Sequence, residues 1–269
     1  MTKNNGGSLN ERQKGIVEIL ELYGDISVKE LASKFRCSEM TIRRDLKKFE
    51  RAGILFRTYG GAQSSPGKRQ LKYLSSEDIN LNIEKKVAIA KFIVENLIQD
   101  GQNIFLDTGS TMLQIAKFLS KRKKISVITN SIDIMAELYH RPEINCLIIG
   151  GSLSENSSTL YGPYAMEQLK KWESKVDISF IGCDGIILQS NEGFYTKSSI
   201  DANLTPIALK TGSKKWIAAD STKIGKRTLF KFADFNNVDL FITDSDINEN
   251  QSTYFKKKIE IAVAKIIPI

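Results

Sequence analysis

The chain has 269 residues, 41% of them hydrophobic, with 39 Lys and Arg against 31 Asp and Glu for a formal charge of +8. That length buries one large core or two modest ones. No apolar run approaches the ~20 residues needed to cross a bilayer, and the opening MTKNNGGSLNERQ lacks the apolar stretch of a signal peptide, so a soluble, cytoplasmic protein without membrane partners is expected.

Three widely separated cysteines, Cys37, Cys146 and Cys183, read as reduced, packed thiols. The single histidine, His140, leaves no material for a histidine triad or a zinc centre, so neither metal nor cofactor is expected. The charge is uneven. Residues 1–75 hold 15 Lys and Arg against 8 Asp and Glu, whereas the remainder is nearly balanced at 24 against 23. A basic N-terminal module is the electrostatic footprint of a nucleic-acid binder.

In chain order, NERQKGIVEILELY places Ile16, Ile19, Leu20 and Tyr23 at helical spacing, with Gly24 as its stop. In SVKELASKF, Ser27 and Glu30 have capping-box spacing, and Val28, Leu31, Ala32 and Phe35 follow at i, i+3, i+4 and i+7, a short second helix. Arg36, Cys37 and Ser38 separate it from a third, whose N-cap is Ser38 and whose apolar face is Ile42, Leu46 and Phe49. The opposite side carries Met40, Thr41, Arg44, Lys47, Lys48 and Arg51, with Arg43 on its flank. Two helices joined by a tight turn, the second presenting polar and basic residues, match the geometry that enters a major groove. A solvated charged face would have the same composition; the short preceding helix, the tight turn and the regional charge favour DNA. ILFRTYGGA then reads as a small hairpin with Arg57, Tyr59 and a Gly60-Gly61 turn.

The stretch ISVKELASKFRCSEMTIRRDLKKFERAGILFRTYGGA, with its TIRRDL and later GGA, resembles the winged helix-turn-helix of the DeoR family of bacterial sugar-operon regulators. The resemblance makes 38–51 the recognition helix and assigns 57–62 to the wing. It implies DNA contacts from Ser38, Met40, Thr41, Arg43, Arg44, Lys47, Lys48, Arg57 and Tyr59. The expected domain is 1–62, followed by a polar linker over 63–82 that contains Pro66-Gly67.

From 83 to 269 the pattern alternates. Helical stretches over 84–99, 111–119 and 132–140 separate NIFLD, ISVIT and CLIIG, and DISFIG, KKWIAAD and LFIT follow. Short apolar strands alternating with helices indicate a mostly parallel sheet in an α/β domain, where ligands collect at the carboxyl ends of strands. Those ends are polar here. Asp107, Thr108, Gly109, Ser110 and Thr111 sit between a strand and a helix, which outlines a phosphate cradle. Asn130, Gly151, Asp184 and Lys223 stand at the other strand ends. Each alone reads as a turn; five together make a converging ligand site. The absence of GxGxxG and GxxxxGK[ST] disfavours dinucleotides and nucleoside triphosphates.

The same five segments resemble the effector domain of DeoR-type regulators, similar in fold to ribose-5-phosphate isomerase and binding sugar phosphates. The resemblance implies that Asp107, Gly109, Ser110 and Thr111 face phosphate, that Asn130 and Asp184 contact the sugar, and that Lys223 supplies positive charge. It covers nearly the whole chain, and SSIDA with DSTKIGK is similar to the branch that includes lactose phosphotransferase repressors. One segment departs from the family pattern of Glu-Ala with a Lys three residues on: here Asp201-Ala202 is followed by Asn203, Leu204, Thr205 and Pro206.

The expected function is a ligand-responsive repressor, a homodimer or tetramer on double-stranded operator DNA, released by a phosphorylated sugar and not an enzyme. The alternative is a sugar-phosphate isomerase with an incidental basic module, Asp184 acting as base and Lys223 stabilising an enediolate.

Overall fold

The structure, a computed structural model, describes residues 10–23, 25–51, 55–58, 60–64, 81–154 and 157–267; the chain divides into two compact units, Met1–Gln70 and Leu71–Ile269.

In the first unit, α1 (Glu11–Tyr23), α2 (Val28–Lys34) and α3 (Glu39–Arg51) bury Ile16, Leu20, Leu31, Ile42, Leu46 and Phe49 in one core, each side chain worth roughly 1.5–3 kcal/mol on burial. The capping box at the start of α2 is closed in both directions: Ser27 Oγ accepts from Glu30 N–H at 3.1 Å, and the Glu30 carboxylate accepts from Ser27 N–H at 2.9 Å. The Ser27 hydroxyl, which donates to the Glu30 carboxylate at 2.6 Å, and then the Ser27 N–H hold that carboxyl below its ordinary range. The turn into α3 is fastened by its backbone. Arg36 takes the left-handed conformation (φ 47°), its N–H donates to Ser33 at 3.3 Å, and Cys37 N–H donates to Ala32 at 3.1 Å, the pairing of a Schellman motif with arginine in the place usually held by glycine. Ser38 Oγ then accepts from Thr41 N–H at 3.2 Å and opens α3.

One buried carboxylate in α3 has no counterpart in the sequence reading. Asp45, 3% exposed, accepts from Arg12 Nε at 2.9 Å and from Gln13 Nε2 at 2.8 Å, tying α1 to α3 from inside. The hairpin is present as β2 (Leu55–Arg57) and β3 (Gly61–Ser64), antiparallel, and β3 also pairs with β1 (Asp25–Ser27). A Cβ on Gly61 would stand 2.2 Å from the Ile26 carbonyl oxygen, so the second glycine of the pair is needed for this three-stranded closure.

In the second unit seven parallel strands lie in the order β15 (Glu260–Ala264), β14 (Leu240–Asp244), β12 (Gly212–Ala218), β9 (Val176–Ile181), β4 (Asn103–Leu106), β5 (Ile125–Thr129) and β6 (Ile144–Ile148). One face carries α4 (Ile83–Phe92), α5 (Ser110–Phe118) and α6 (Ile132–Leu138), burying Ile104, Leu106, Val127, Phe180 and Ile242. The other carries α7 (Pro163–Lys171), α8 (Ser199–Leu209) and α9 (Glu249–Lys256), burying Phe105, Ile128, Ile217 and Phe241. Alternate residues of each central strand serve opposite cores, which is why these strands read as continuous apolar runs.

The helix expected over 84–99 divides into α4 and a π-helical turn, Ile93–Leu97, where Arg122 donates to the Val94 and Glu95 carbonyls at 2.7 Å each. Four features lie beyond the sequence reading: β1, β15, the hairpin β7 (Ser152–Leu153) with β8 (Leu160–Tyr161), and the antiparallel sheet of β10 (Gly185–Ile187), β11 (Gly193–Thr196) and β13 (Phe230–Ala233). The linker expected over 63–82 lies, apart from its ends, outside the described residues.

Asp45→Ala would leave the Gln13 amide buried and unpaired. It is expected to reduce the stability of the helical unit by about 1–3 kcal/mol, seen as a lower urea midpoint in helix-selective circular dichroism. An unchanged midpoint would show that this network carries no weight.

Candidate functional sites

The polar face of α3 is laid out as its spacing requires. Met40 is 70% exposed, and Arg44, Lys47 and Lys48 are exposed and form no ion pair among the described residues. Arg43 pairs with Glu39 at 3.3 Å and Arg57 with Glu50 at 3.9 Å. The Ser38 and Thr41 hydroxyls lie 2.9 Å apart and serve the helix cap, so at rest they are partly engaged. Tyr59 lies outside the described residues.

At the carboxyl edge of the large sheet a cleft of about 340 Å³ is lined by Asp107, Thr108, Gly109, Ser110, Thr111, Asp184 and Lys223. Seven of the nine residues expected from the sequence therefore converge. Gly109 stands at φ 117° before the first turn of α5, a conformation that L side chains rarely adopt, and no side chain caps that helix. The first N–H groups of α5 are thus directed at the cleft, and with the helix dipole they favour an anion.

The structure does not bring the other two to the cleft wall. Asn130 is fully buried with both amide atoms unpartnered, and its backbone carbonyl accepts from Leu160 N–H at 2.8 Å. Gly151 packs under the β7–β8 hairpin, where a Cβ would stand 2.5 Å from the Tyr161 carbonyl oxygen. Both follow the end of a strand, as the lining residues do, but β5 and β6 lie at the side of the sheet away from β9 and β12.

Other residues line the cleft without having been assigned to it from the sequence: Lys86, Lys197, Asp201, Thr205, Asp220 and Lys226. Lys86 sits in the EKK run of α4, which reads as a solvated helix face, yet it is 4% exposed. Asp220 is 1% exposed; its Oδ1 accepts from Thr222 N–H at 3.1 Å and from the Thr222 hydroxyl, while its Oδ2 is unpartnered. Thr205, in the segment that departs from the family lysine, is on the wall, and Pro206 follows it inside α8. Cations reach the cleft instead from α4, from the strand end at Lys197 and from the loop carrying Lys223 and Lys226.

The turn bearing Lys223 is anchored from below. Asp244 accepts from Ser221 N–H at 2.7 Å and from Ser221 Oγ at 2.9 Å, and Lys85 donates to Ser221 Oγ at 2.9 Å while pairing with Asp246 at 2.8 Å. Burial pulls the Lys85 ammonium down, but Asp246, Asp244 and Asp220 together outweigh it and raise its pKa. Asp184 Oδ2 accepts from Lys197 N–H at 3.0 Å and from Thr196 Oγ1 at 3.2 Å, which fixes its orientation.

Four carboxylates share this cleft with four lysines. Burial, then the neighbouring Asp201 charge, pushes Asp107 up to about 8, and burial chiefly raises Asp201 as well. Asp107 therefore keeps a proton in the folded chain that the unfolded chain releases above its ordinary value of 3.8, and stability falls as pH rises from about 4 through 8. Asp107→Asn removes that penalty. The variant is expected to gain stability over the wild type progressively between pH 5 and pH 8 in urea titrations, and a gain independent of pH would contradict the assignment.

Known families match both parts of the chain. A family described as the DeoR-like helix-turn-helix domain matches residues 12–66, and one described as the DeoR C terminal sensor domain matches residues 81–245. The chain is 32% identical to the lactose phosphotransferase system repressor of Lactococcus lactis subsp. lactis over 94% of its own length and 98% of the relative's. It is 30% identical to the regulator GlpR of Haloferax volcanii, covering 96% of each. Among solved structures, ribose 5-phosphate isomerase A of Methanocaldococcus jannaschii is similar at 21% identity and a TM-score of 0.38, over 57% of this chain and 56% of that one, too distant to bear on activity. On these matches the chain belongs to the DeoR family of transcriptional regulators and is a regulator of transcription rather than an isomerase.

Proposed function

We propose that the chain is a cytoplasmic repressor of a sugar-metabolism operon, with DNA binding in 1–62, a linker over 63–82, and effector binding and oligomerisation in 83–269. The observation that carries the effector reading is the uncapped amino terminus of α5 opening on a cleft that also holds Lys86 and Lys223. Backbone N–H groups, hydroxyls and ammonium groups suit a phosphate, while the oriented Asp184 carboxylate suits sugar hydroxyls. A phosphorylated sugar satisfies both ends at once. The operator is met by α3 in the major groove, with Met40, Thr41 and Arg44 near base edges and Lys47, Lys48 and Arg57 toward phosphates, on a homodimer or tetramer whose symmetry matches paired half-sites. Ligand and operator then oppose each other by linkage, each lowering the other's affinity by the same factor.

On this reading Arg44→Ala weakens binding to the cognate site by about 1–3 kcal/mol and relaxes sequence preference, whereas Lys48→Ala weakens binding to all duplexes about equally and flattens the salt dependence. Gel-shift titrations across salt concentrations test both. Salt-independent binding, or none, would reject the operator reading.

For the cleft, Lys223→Ala is expected to weaken binding of hexose and pentose phosphates far more than that of the corresponding neutral sugars in calorimetry. Binding of a neutral sugar or a nucleotide with failure of every sugar phosphate would reject the effector reading.

A further inference from the structure

One edge of the seven-stranded sheet is left without the usual guards. Soluble proteins protect a sheet edge with charges, proline, bulges or a covering element, because its unpaired N–H and C=O groups will otherwise pair with another strand. The β15 edge is guarded in this way: Glu260 and Lys265 bracket it, and Lys256, Lys257 and Lys258 precede it. The β6 edge carries such guards only ahead of the strand, at Arg141, Pro142 and Glu143; residues 144–151 read INCLIIGG, without a charge or a proline, and no strand pairs with β6 beyond β5 among the described residues.

The direction of the open groups follows from the ladder. Ile149 N–H donates to the Thr129 carbonyl at 2.8 Å, toward β5. Backbone groups alternate in side along a strand, so Asn145 and Leu147 also face β5, while Cys146 and Ile148 turn their N–H and C=O groups outward. Around this open ladder the surface is apolar. Of the eleven large hydrophobic side chains that are exposed among the described residues, five lie within residues 139–164: Tyr139, Leu147, Ile148, Leu153 and Tyr164. Tyr139 caps the end of α6 just before β6, Leu153 follows it on β7, and the Tyr164 ring lies against Gly150.

We propose that this edge is the contact between two copies of the chain, β6 pairing antiparallel with β6 of a second copy about a two-fold axis. A second copy is the occupant that fits, because an antiparallel pair of identical strands is self-complementary: each residue finds on its partner the surface it presents itself. An uncharged edge imposes no penalty on that pairing, since no like charges are brought together. Five strand residues alone cover less than the ~800 Å² per partner of a stable interface; the flanking Tyr139, Leu153 and Tyr164, exposed by 75%, 40% and 63%, extend it on both sides of the ladder. The proposal rests on the reading of the chain as an oligomeric operator binder, and locates its contact.

The test is sedimentation equilibrium of the full chain at micromolar concentration. Leu147→Glu places like charges across the two-fold, and Ile148→Pro deletes an outward donor without touching the ladder to β5; each is expected to halve the mass of the wild-type particle, while Val263→Glu on the opposite edge leaves it unchanged. Should either variant fail to fold by circular dichroism, hydrogen exchange on the wild type decides. The Cys146 and Ile148 amides are expected to exchange faster on dilution, and amides of β15 are not. A monomeric wild type overturns the proposal together with the oligomeric reading. An oligomer that survives both variants, or Cys146 and Ile148 exchange that ignores dilution, overturns the β6 contact alone.

Discussion

The parallel register of the central strands governs the second unit. Leu106 stands beside both Phe180 and Thr129, and Ile217 stands beside Ile181, so β4, β5, β9 and β12 finish level. Every connection that leaves a carboxyl end must turn in the same layer of space, and parallel pairing obliges the chain to return by a crossover on one face or the other. The loops after β4, β9 and β12 are the central ones, and they form the cleft; the loop after β5 is displaced toward the sheet edge, where Asn130 is sealed in. Position in the sheet order, rather than the chemistry of the loop residue, decides which strand ends are available to a ligand.

The cleft that results is electrically unusual for the phosphate site proposed there. Asp107, Asp184, Asp201 and Asp220 line it with Lys86, Lys197, Lys223 and Lys226. Crowding of carboxylates with little water disfavours their joint ionisation, and Asp107 answers by holding its proton. A protonated carboxyl donates a hydrogen bond where a carboxylate would repel phosphate. With no lysine near Thr205, the positive charge at the cleft comes from α4, from Lys197 and from the Lys223–Lys226 loop.

Much of this was legible in residue order. Ile42, Leu46 and Phe49 fix which side of α3 is buried, and the rest of the helix follows from 3.6-residue periodicity; Ser27 with Glu30 fixes where α2 begins. The parallel strands were readable because burial on both faces makes them continuously apolar. Glycine and hydroxyl residues directly after NIFLD marked the cradle for the same reason that they build it. What was hidden depends on contacts distant in sequence. Asp45 looks like one more charge on a charged helix until Arg12 and Gln13 are brought to it. Lys86 is indistinguishable from Lys85 in an EKK run, although one lines the cleft and the other braces the turn beneath it. Strands β10, β11 and β13 are short and separated by loops, and Phe194 gains a strand environment only when Phe232 and Phe235 pack against it, with ring centroids 6.5 and 5.2 Å away.

The link between α2 and α3 carries a consequence for how such a protein changes its target. Arg36 and Cys37 close the end of α2 through their own backbone N–H groups, and Ser38, the next residue, opens α3 with its side chain. Thr41 shares in the cap through its N–H and its hydroxyl, but none of these bonds involves Met40 or Arg44, and neither does the buried Asp45 clasp. The angle at which α3 is presented is thus set by atoms other than the side chains of Met40 and Arg44, with Thr41 serving both ends. On the proposed operator reading, replacing Met40 or Arg44 would alter the preferred operator without disturbing the frame that holds the helix, so a duplicated copy of this chain has a short path to new target sequences.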